Sequence, residues 1–148
     1  YLRDASPRLL LMTGSLRLSR AQLKAVIDHA RACKPEEACG ILAGDRGGNV
    51  KRVFLMENAE HSSSFYVMDS REQFQVFDEM ERDGLELVAI FHSHPHSPAF
   101  PSPKDMELAF YPDSVYLIIS LMNGEPEGHA FRIVEDQVSE IEIRVGEI

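Results

Sequence analysis

Two histidines and one aspartate in this chain have the residue types and the spacing of a metal site. His92 and His94 follow a predicted buried strand, and side chains two residues apart on extended backbone point to the same side. Asp105 comes eleven residues after His94, in the first turn of the next predicted helix. Three such ligands leave a fourth position for water, which is the arrangement of catalytic zinc sites. The sequence therefore predicts that these three residues can form a zinc site.

Each half of this pattern also has an explanation that needs no metal. An isolated His-x-His pair is commonly a coincidence of a loop. Ser102 and Asp105 are three residues apart and match the capping-box-like start of a helix, with Pro103 at the first helical position. The pattern becomes specific only when both halves occur together at this spacing.

The combined pattern resembles the signature of a known metalloprotease family. The order is His92-x-His94, seven residues, Ser102, two residues and Asp105, as in the JAMM (MPN-plus, Mov34/PAD-1) family. Upstream, residues 37–44 read Glu-Ala-Cys-Gly-Ile-Leu-Ala-Gly, which is similar to that family's Glu-x-Cys-Gly-x-Leu-x-Gly strand. No key position of the motif is replaced. The chain looks like a compact, prokaryotic-type member.

This resemblance spans residues 16–143 and implies roles for individual side chains. It implies a cytidine-deaminase-like JAMM/MPN fold with a curved sheet, and one zinc ion per chain. The implied ligands are His92, His94 and Asp105. Glu37 would be the general base, and Ser102 would stabilise the tetrahedral oxyanion by a hydrogen bond. Glu36 is the adjacent alternative to Glu37, but the family's spacing favours Glu37.

The resemblance also implies a substrate class. Family members cleave amide bonds after the di-glycine tail of ubiquitin-like proteins, and the compact prokaryotic ones process sulfur-carrier proteins or other ubiquitin-like modifiers. We therefore expect a zinc-dependent isopeptidase or peptidase whose partner is such a carrier. Residues 65–68, a predicted short extended piece, are a candidate sheet-edge segment to which its tail could add as a strand. The alternative is a non-catalytic MPN-type scaffold. The oligomeric state is left open.

The hydrophobic pattern predicts the elements that position these residues. The order is β-α-β-β-α-β-α-β-β-β, which indicates an α/β (α+β) domain with a mixed sheet flanked by helices. Capping boxes predict helix starts at Ser19 and Ser70, and in the second helix Phe74, Phe77 and Met80 share one face. The predicted strands are residues 38–43, 50–56, 85–91, 115–121, 128–134 and 138–145, with a further short piece at Leu16 and Leu18.

Length and composition bound the remaining possibilities. A chain of 148 residues argues for one domain, which we place at residues 16–148 after an N-terminal extension of residues 1–15. The net charge of −9 disfavours nucleic acid and anionic lipid as partners, and we expect no membrane span. Cys33 and Cys39 are too few for a disulfide framework, so we expect free thiols and a cytoplasmic location.

Overall fold

The computed structural model describes residues 14–146, and its elements follow the predicted order. The expected extension, residues 1–15, falls almost wholly outside the described residues. The strands and helices are β1 (Ser15–Ser19), α1 (Arg20–Cys33), β2 (Cys39–Gly44), β3 (Val50–Met56), α2 (Ser70–Arg82), β4 (Glu86–His94), α3 (Pro103–Glu107), β5 (Val115–Ser120), β6 (Glu127–Val134) and β7 (Gln137–Gly146).

All seven strands form one mixed sheet in the order β1-β7-β6-β5-β4-β2-β3. The β1–β7 and β4–β5 pairs are parallel and the other pairs are antiparallel. The sheet curves until its two edges meet. At this seam the Arg17 amide of β1 donates to the Gly48 carbonyl, just before β3, at 2.8 Å. Gly48 has φ +88°, and a Cβ there would lie 2.3 Å from the Ser15 carbonyl oxygen, so only glycine fits this seam. The mixed α+β domain with a curved, nearly barrel-like sheet confirms the expected fold class.

Helix α1 begins as its sequence predicts. The Ser19 hydroxyl accepts from the Gln22 amide, and the Gln22 side chain accepts from the Ser19 amide, which satisfies two donors that a helix start leaves free. Val26 and Ala30 are buried against one face of the sheet, whereas Val76 of α2 contributes to a separate apolar cluster. The sheet is therefore covered by apolar clusters on both faces, which explains the nearly continuous apolar run of its central strands.

Helix α2 differs from its prediction in its cap and in one residue of its buried face. The N-cap is Asp69 and not Ser70, because the Asp69 carboxylate accepts from the Glu72 amide. Of the predicted face, Met80 is buried and Phe77 packs, partly buried, against the same apolar cluster, which confirms these two positions. The prediction for Phe74 was wrong, because it is 72% exposed. Val76 takes its place, since it lies four residues before Met80 and is buried with it.

The central strand β4 extends further than predicted. It does not end at residue 91 but continues to His94, because β5 pairs with it along this whole stretch and β2 pairs with it as far as His92. His92 is paired with Cys39 of β2 and with Ile118 of β5, and His94 is paired with Ser120 of β5. The two histidines therefore lie on the strand itself. By contrast, residues 65–68 form no strand and make one isolated bridge.

Candidate active site

Three ligand-type atoms converge at the end of β4. The Nε2 atoms of His92 and His94 lie 3.1 Å apart, and Asp105 Oδ2 is 3.1 Å from the first and 3.0 Å from the second. All three side chains are buried. The strand alternation places both imidazoles on one face, and the first turn of α3 brings Asp105 to them. The structure thus brings together the three predicted ligands.

The orientation of His94 is set by its other ring nitrogen. His94 Nδ1 lies 2.7 Å from the Pro98 carbonyl oxygen, which can only accept a hydrogen bond. The proton of a neutral His94 is therefore on Nδ1, and Nε2 keeps its lone pair toward the cluster. The loop that carries Pro98 is itself fixed, because the Ser120 hydroxyl donates to the Ser97 carbonyl at 2.6 Å.

His92 is held by stacking and not by a carbonyl. The ring of Tyr66 lies parallel to it, with a centroid distance of 4.6 Å and an interplanar angle of 25°. Its Nδ1 atom is buried and has no hydrogen-bond partner among residues 14–146. Burial lowers the pKa of His92, although Asp105 opposes this effect, so the imidazole favours the neutral form that ligates metals.

Asp105 and Ser102 form a capping box at the start of α3. The Ser102 hydroxyl accepts from the Asp105 amide at 3.0 Å, and Asp105 Oδ2 accepts from the Ser102 amide at 2.9 Å. Burial alone would raise the pKa of Asp105, but the adjacent imidazoles of His92 and His94 outweigh it and hold the pKa far below its usual range. Burial likewise opposes protonation of His94, yet its hydrogen bonds to Asp105 and Pro98 raise the pKa of that imidazole.

The carboxyl group of Glu37 lies beside this cluster, just before β2. Glu37 is 3% exposed, and its Oε1 atom has no hydrogen-bond partner within the described part of the chain. Burial raises the pKa of Glu37 to about 8; the nearby His94 lowers it and Asp105 raises it. The alternative residue, Glu36, points elsewhere, because its Oε1 lies 3.1 Å from His61 Nδ1 at the surface.

The donor set fits a small divalent metal ion. Nitrogen and oxygen ligands about 2.0–2.1 Å from a tetrahedral zinc ion are separated from one another by roughly 3.3 Å, close to the 3.0–3.1 Å observed here. The orphaned Oε1 of Glu37 is a second indication, since a buried carboxylate oxygen without a donor is costly. A metal with its bound water would provide both the missing charge and the missing donor.

Several supporting residues were missed by the sequence reasoning. Tyr66 covers His92, and Ser93 holds the segment next to Glu37 through its hydroxyl, which accepts from the Ala38 amide at 2.8 Å. Asn58 is buried and donates to the Glu37 carbonyl at 3.0 Å. Ser93 lies between the two histidines of the His-x-His motif, and this position in the sequence indicates that it is close to the site. Tyr66 and Asn58 carry no such local signal.

Comparison with known proteins identifies the family. Residues 19–134 match the model described as prokaryotic homologs of the JAB domain. The chain belongs to this prokaryotic JAB family. The resemblance to the JAMM/MPN-plus family is thereby confirmed. The family is typically metal-dependent, in agreement with the His-His-Asp group described above.

Relatives of this JAB-domain chain include named enzymes. The chain is 41% identical over 133 residues to the CysO-cysteine peptidase of Mycobacterium tuberculosis, covering 86% of this chain and 90% of the relative. It is 33% identical over 141 residues to the desampylase of Haloferax volcanii, covering 90% and 99%. These relatives are hydrolases of the JAMM type, which agrees with the expectation of an enzyme.

A solved structure shares the fold. A JAB1/MPN domain protein from Archaeoglobus fulgidus superimposes with a TM-score of 0.60 at 18% identity, covering 89% of this chain and all of that one. At this identity the likeness speaks for the fold alone. Among residues 14–146, the JAB-domain chain has no helix long and apolar enough to cross a membrane.

Proposed function

We propose that this JAB-domain protein is a zinc-dependent peptidase or isopeptidase that hydrolyses the amide bond after the di-glycine tail of a ubiquitin-like or sulfur-carrier protein. One observation carries the proposal: a buried His92, His94 and Asp105 cluster lies beside a buried Glu37 carboxyl oxygen that has no partner among the described residues. A purely structural metal site needs no such carboxyl group. An enzyme that hydrolyses amides with a metal-activated water needs a group that acts as a base and then as an acid, and a carboxyl group beside the metal can do both.

The proposed division of labour gives zinc to the three ligands and proton transfer to Glu37. A bound zinc ion supplies Lewis acidity and lowers the pKa of water near it. The Glu37 carboxylate accepts the proton of the attacking water and delivers it to the leaving amine nitrogen. Burial raises the pKa of Glu37 to about 8, and a nearby cation opposes this effect, so the loaded site favours the ionised base.

Ser102 is the proposed donor to the developing oxyanion. Its oxygen already accepts from the Asp105 amide, which leaves the hydroxyl proton free to point toward a substrate oxygen. The side chain is half-buried at the helix start, so capping and catalysis use different atoms of one hydroxyl group. Removing one such donor typically lowers turnover by about 10²–10³-fold.

The proposed substrate follows from the relatives and from chain geometry. The names CysO-cysteine peptidase and desampylase support a protein substrate that is processed at a carrier or modifier. A di-glycine tail suits a narrow slot, because it brings no side chains past the metal ligands. Residues 65–68 are the proposed neighbour of this tail, since Tyr66 stacks on His92. We also propose one catalytic domain over residues 16–148 and a cytoplasmic location.

The test combines metal content with cleavage on one sample. Protein purified without added metal is measured for zinc by elemental analysis, then incubated with fusions that carry a ubiquitin-like protein ending in di-glycine. We expect one zinc per chain, chelator-sensitive cleavage, and a Glu37→Gln variant that keeps zinc but loses cleavage. Glu36→Gln is the matched control and keeps both. Zinc with full activity in Glu37→Gln would contradict the mechanism, and absence of zinc would favour the non-catalytic scaffold.

A further inference from the structure

A buried asparagine joins two parts of the site that are distant in sequence. Asn58 follows β3 by two residues and is 5% exposed. Its amide nitrogen donates to the carbonyl oxygens of Glu37 and Phe65, both at 3.0 Å. Its amide oxygen accepts from the main-chain N–H groups of Glu60 at 3.0 Å and Val67 at 3.2 Å. Both donors and both acceptor positions of this one side chain are therefore used.

The first connection fixes the backbone of Glu37. Glu37 lies before the first residue of β2, so the hydrogen bonds between neighbouring strands do not hold its backbone. Its N–H donates to the Ser62 carbonyl at 2.8 Å, and its own carbonyl accepts from Asn58. The next residue, Ala38, makes two hydrogen bonds with Ser93. The Ala38 N–H donates to the Ser93 hydroxyl at 2.8 Å, and the Ala38 carbonyl accepts from the Ser93 N–H at 3.0 Å. The direction of the Glu37 side chain depends on these contacts.

The second connection fixes Tyr66. Asn58 binds the residues immediately before and after it, Phe65 through its carbonyl and Val67 through its N–H. The chain turns around the asparagine side chain, and the Tyr66 ring is thereby held parallel to the His92 imidazole. The same amide group therefore contacts the backbone next to the base and the backbone next to the ring that covers a metal ligand.

We propose that Asn58 is a positioning residue of the peptidase. It holds the Glu37 carboxyl group and the Tyr66 ring in place relative to each other and to the metal ligands. The inference rests on the proposed function for its catalytic consequence, but its structural part is independent of it. Asn58 touches no reacting atom, so its effect is transmitted through Glu37 and Tyr66. Supporting residues of this kind typically change activity by about 10–100-fold when they are removed.

The first arm of the test measures amide hydrogen exchange in the metal-free protein by NMR. In Asn58→Ala the loop that contains Ser62 loses an anchor, because the Asn58 amide nitrogen also lies 3.4 Å from the Ser62 carbonyl oxygen. The Glu37 amide, which donates to that carbonyl, should therefore exchange at least about tenfold faster than in the wild type. Amides in the middle of β2, such as Leu42, should not change. This arm needs neither zinc nor substrate. An unchanged exchange rate at Glu37 would overturn the proposal.

The second arm measures steady-state cleavage by the zinc-loaded protein. Asn58→Ala should lower kcat by about 10–100-fold, with KM within about threefold and one zinc still bound. Asn58→Ser retains one hydroxyl donor and should recover part of kcat, and it replaces the alanine variant if that fails to fold. Asn49→Ala is the matched control, because Asn49 uses its amide on Asp45 in the hairpin loop at the opposite end of β2.

The outcomes separate this inference from the proposed function. Asn49→Ala should lose stability but keep kcat, so a loss of kcat confined to the Asn58 variants supports positioning. A value of kcat within twofold of the wild type in Asn58→Ala would overturn the catalytic role. If the wild type cleaves no di-glycine-tailed fusion, the proposed function fails, and the exchange rate of the Glu37 amide alone decides whether Asn58 positions that residue.

Discussion

Replacing Glu37 by glutamine should change how the stability of the metal-free protein depends on pH. The unfolded carboxyl group has a pKa near 4.5, and burial in the folded protein raises it to about 8. Between these values the unfolded chain releases the proton while the folded chain retains it, so rising pH favours unfolding. Glutamine does not titrate. The wild type should therefore lose stability relative to Glu37→Gln as the pH rises from about 4.5 to 8.

The magnitude follows from the same shift. The loss of stability that accumulates between pH 4.5 and pH 7 corresponds to about 3 kcal/mol, since each pKa unit is 1.36 kcal/mol. Water that reaches the site screens part of this charge, which reduces the expected difference to about 1–2 kcal/mol. For a domain of this length that is roughly 2–8 °C in Tm. The assay is thermal unfolding of chelator-treated protein at pH 5 and pH 7, followed by circular dichroism.

The neighbouring glutamate provides the control for this measurement. Glu36 is partly exposed and lies against His61. The difference in Tm between the wild type and Glu36→Gln should therefore not increase comparably from pH 5 to pH 7. A Glu37→Gln variant whose Tm differs from the wild type by the same amount at both pH values would refute the reasoning. It would mean that the Glu37 carboxyl group is solvated in the metal-free protein.

Three further predictions concern the ligands, the oxyanion donor and the core. His92→Ala should bind less than about 0.1 zinc per chain by elemental analysis, because it removes one of three ligands, and full occupancy would contradict the assignment. Ser102→Ala should lower kcat by about 10²–10³-fold with KM nearly unchanged, and an unaffected rate would exclude the donor role. Phe91→Ala should destabilise the fold by about 3–5 kcal/mol in urea unfolding, since Phe91 is 1% exposed; a loss below about 1 kcal/mol would show that the core relaxes around it.

Features encoded by nearby residues were predictable from the sequence. The capping box of Ser19 and Gln22 needs only a local pattern, and so do the neighbouring strands β2 and β3; all appear within one residue of their predicted positions. The start of α2 was misplaced by one residue because Asp69 and Ser70 are both good caps, and only the fold decides between them. Strand β4 was predicted too short because polar histidines interrupt the apolar run, although pairing with β5 extends it to His94.

The site divides in the same way between local and long-range information. The His-x-His pair and the Ser102–Asp105 capping box are local, and the structure places their side chains together. The contacts of Asn58 with Glu37 span 21 residues, and nothing near Asn58 in the sequence indicates its partner. Long-range side-chain to backbone bonds of this type have no periodicity, so hydrophobic patterns cannot reveal them.

The two halves of the site are held by different means. His92 is paired with both β2 and β5 and His94 is paired with β5, so their backbone moves only if the sheet breaks. Glu37 lies before β2, where side chains such as Asn58 and Ser93 provide the hydrogen bonds that strands provide elsewhere. Metal binding should therefore survive changes that displace the base. Loss of activity with retained zinc is the expected signature of damage to the Asn58 contacts, and loss of both is the signature of damage to the sheet.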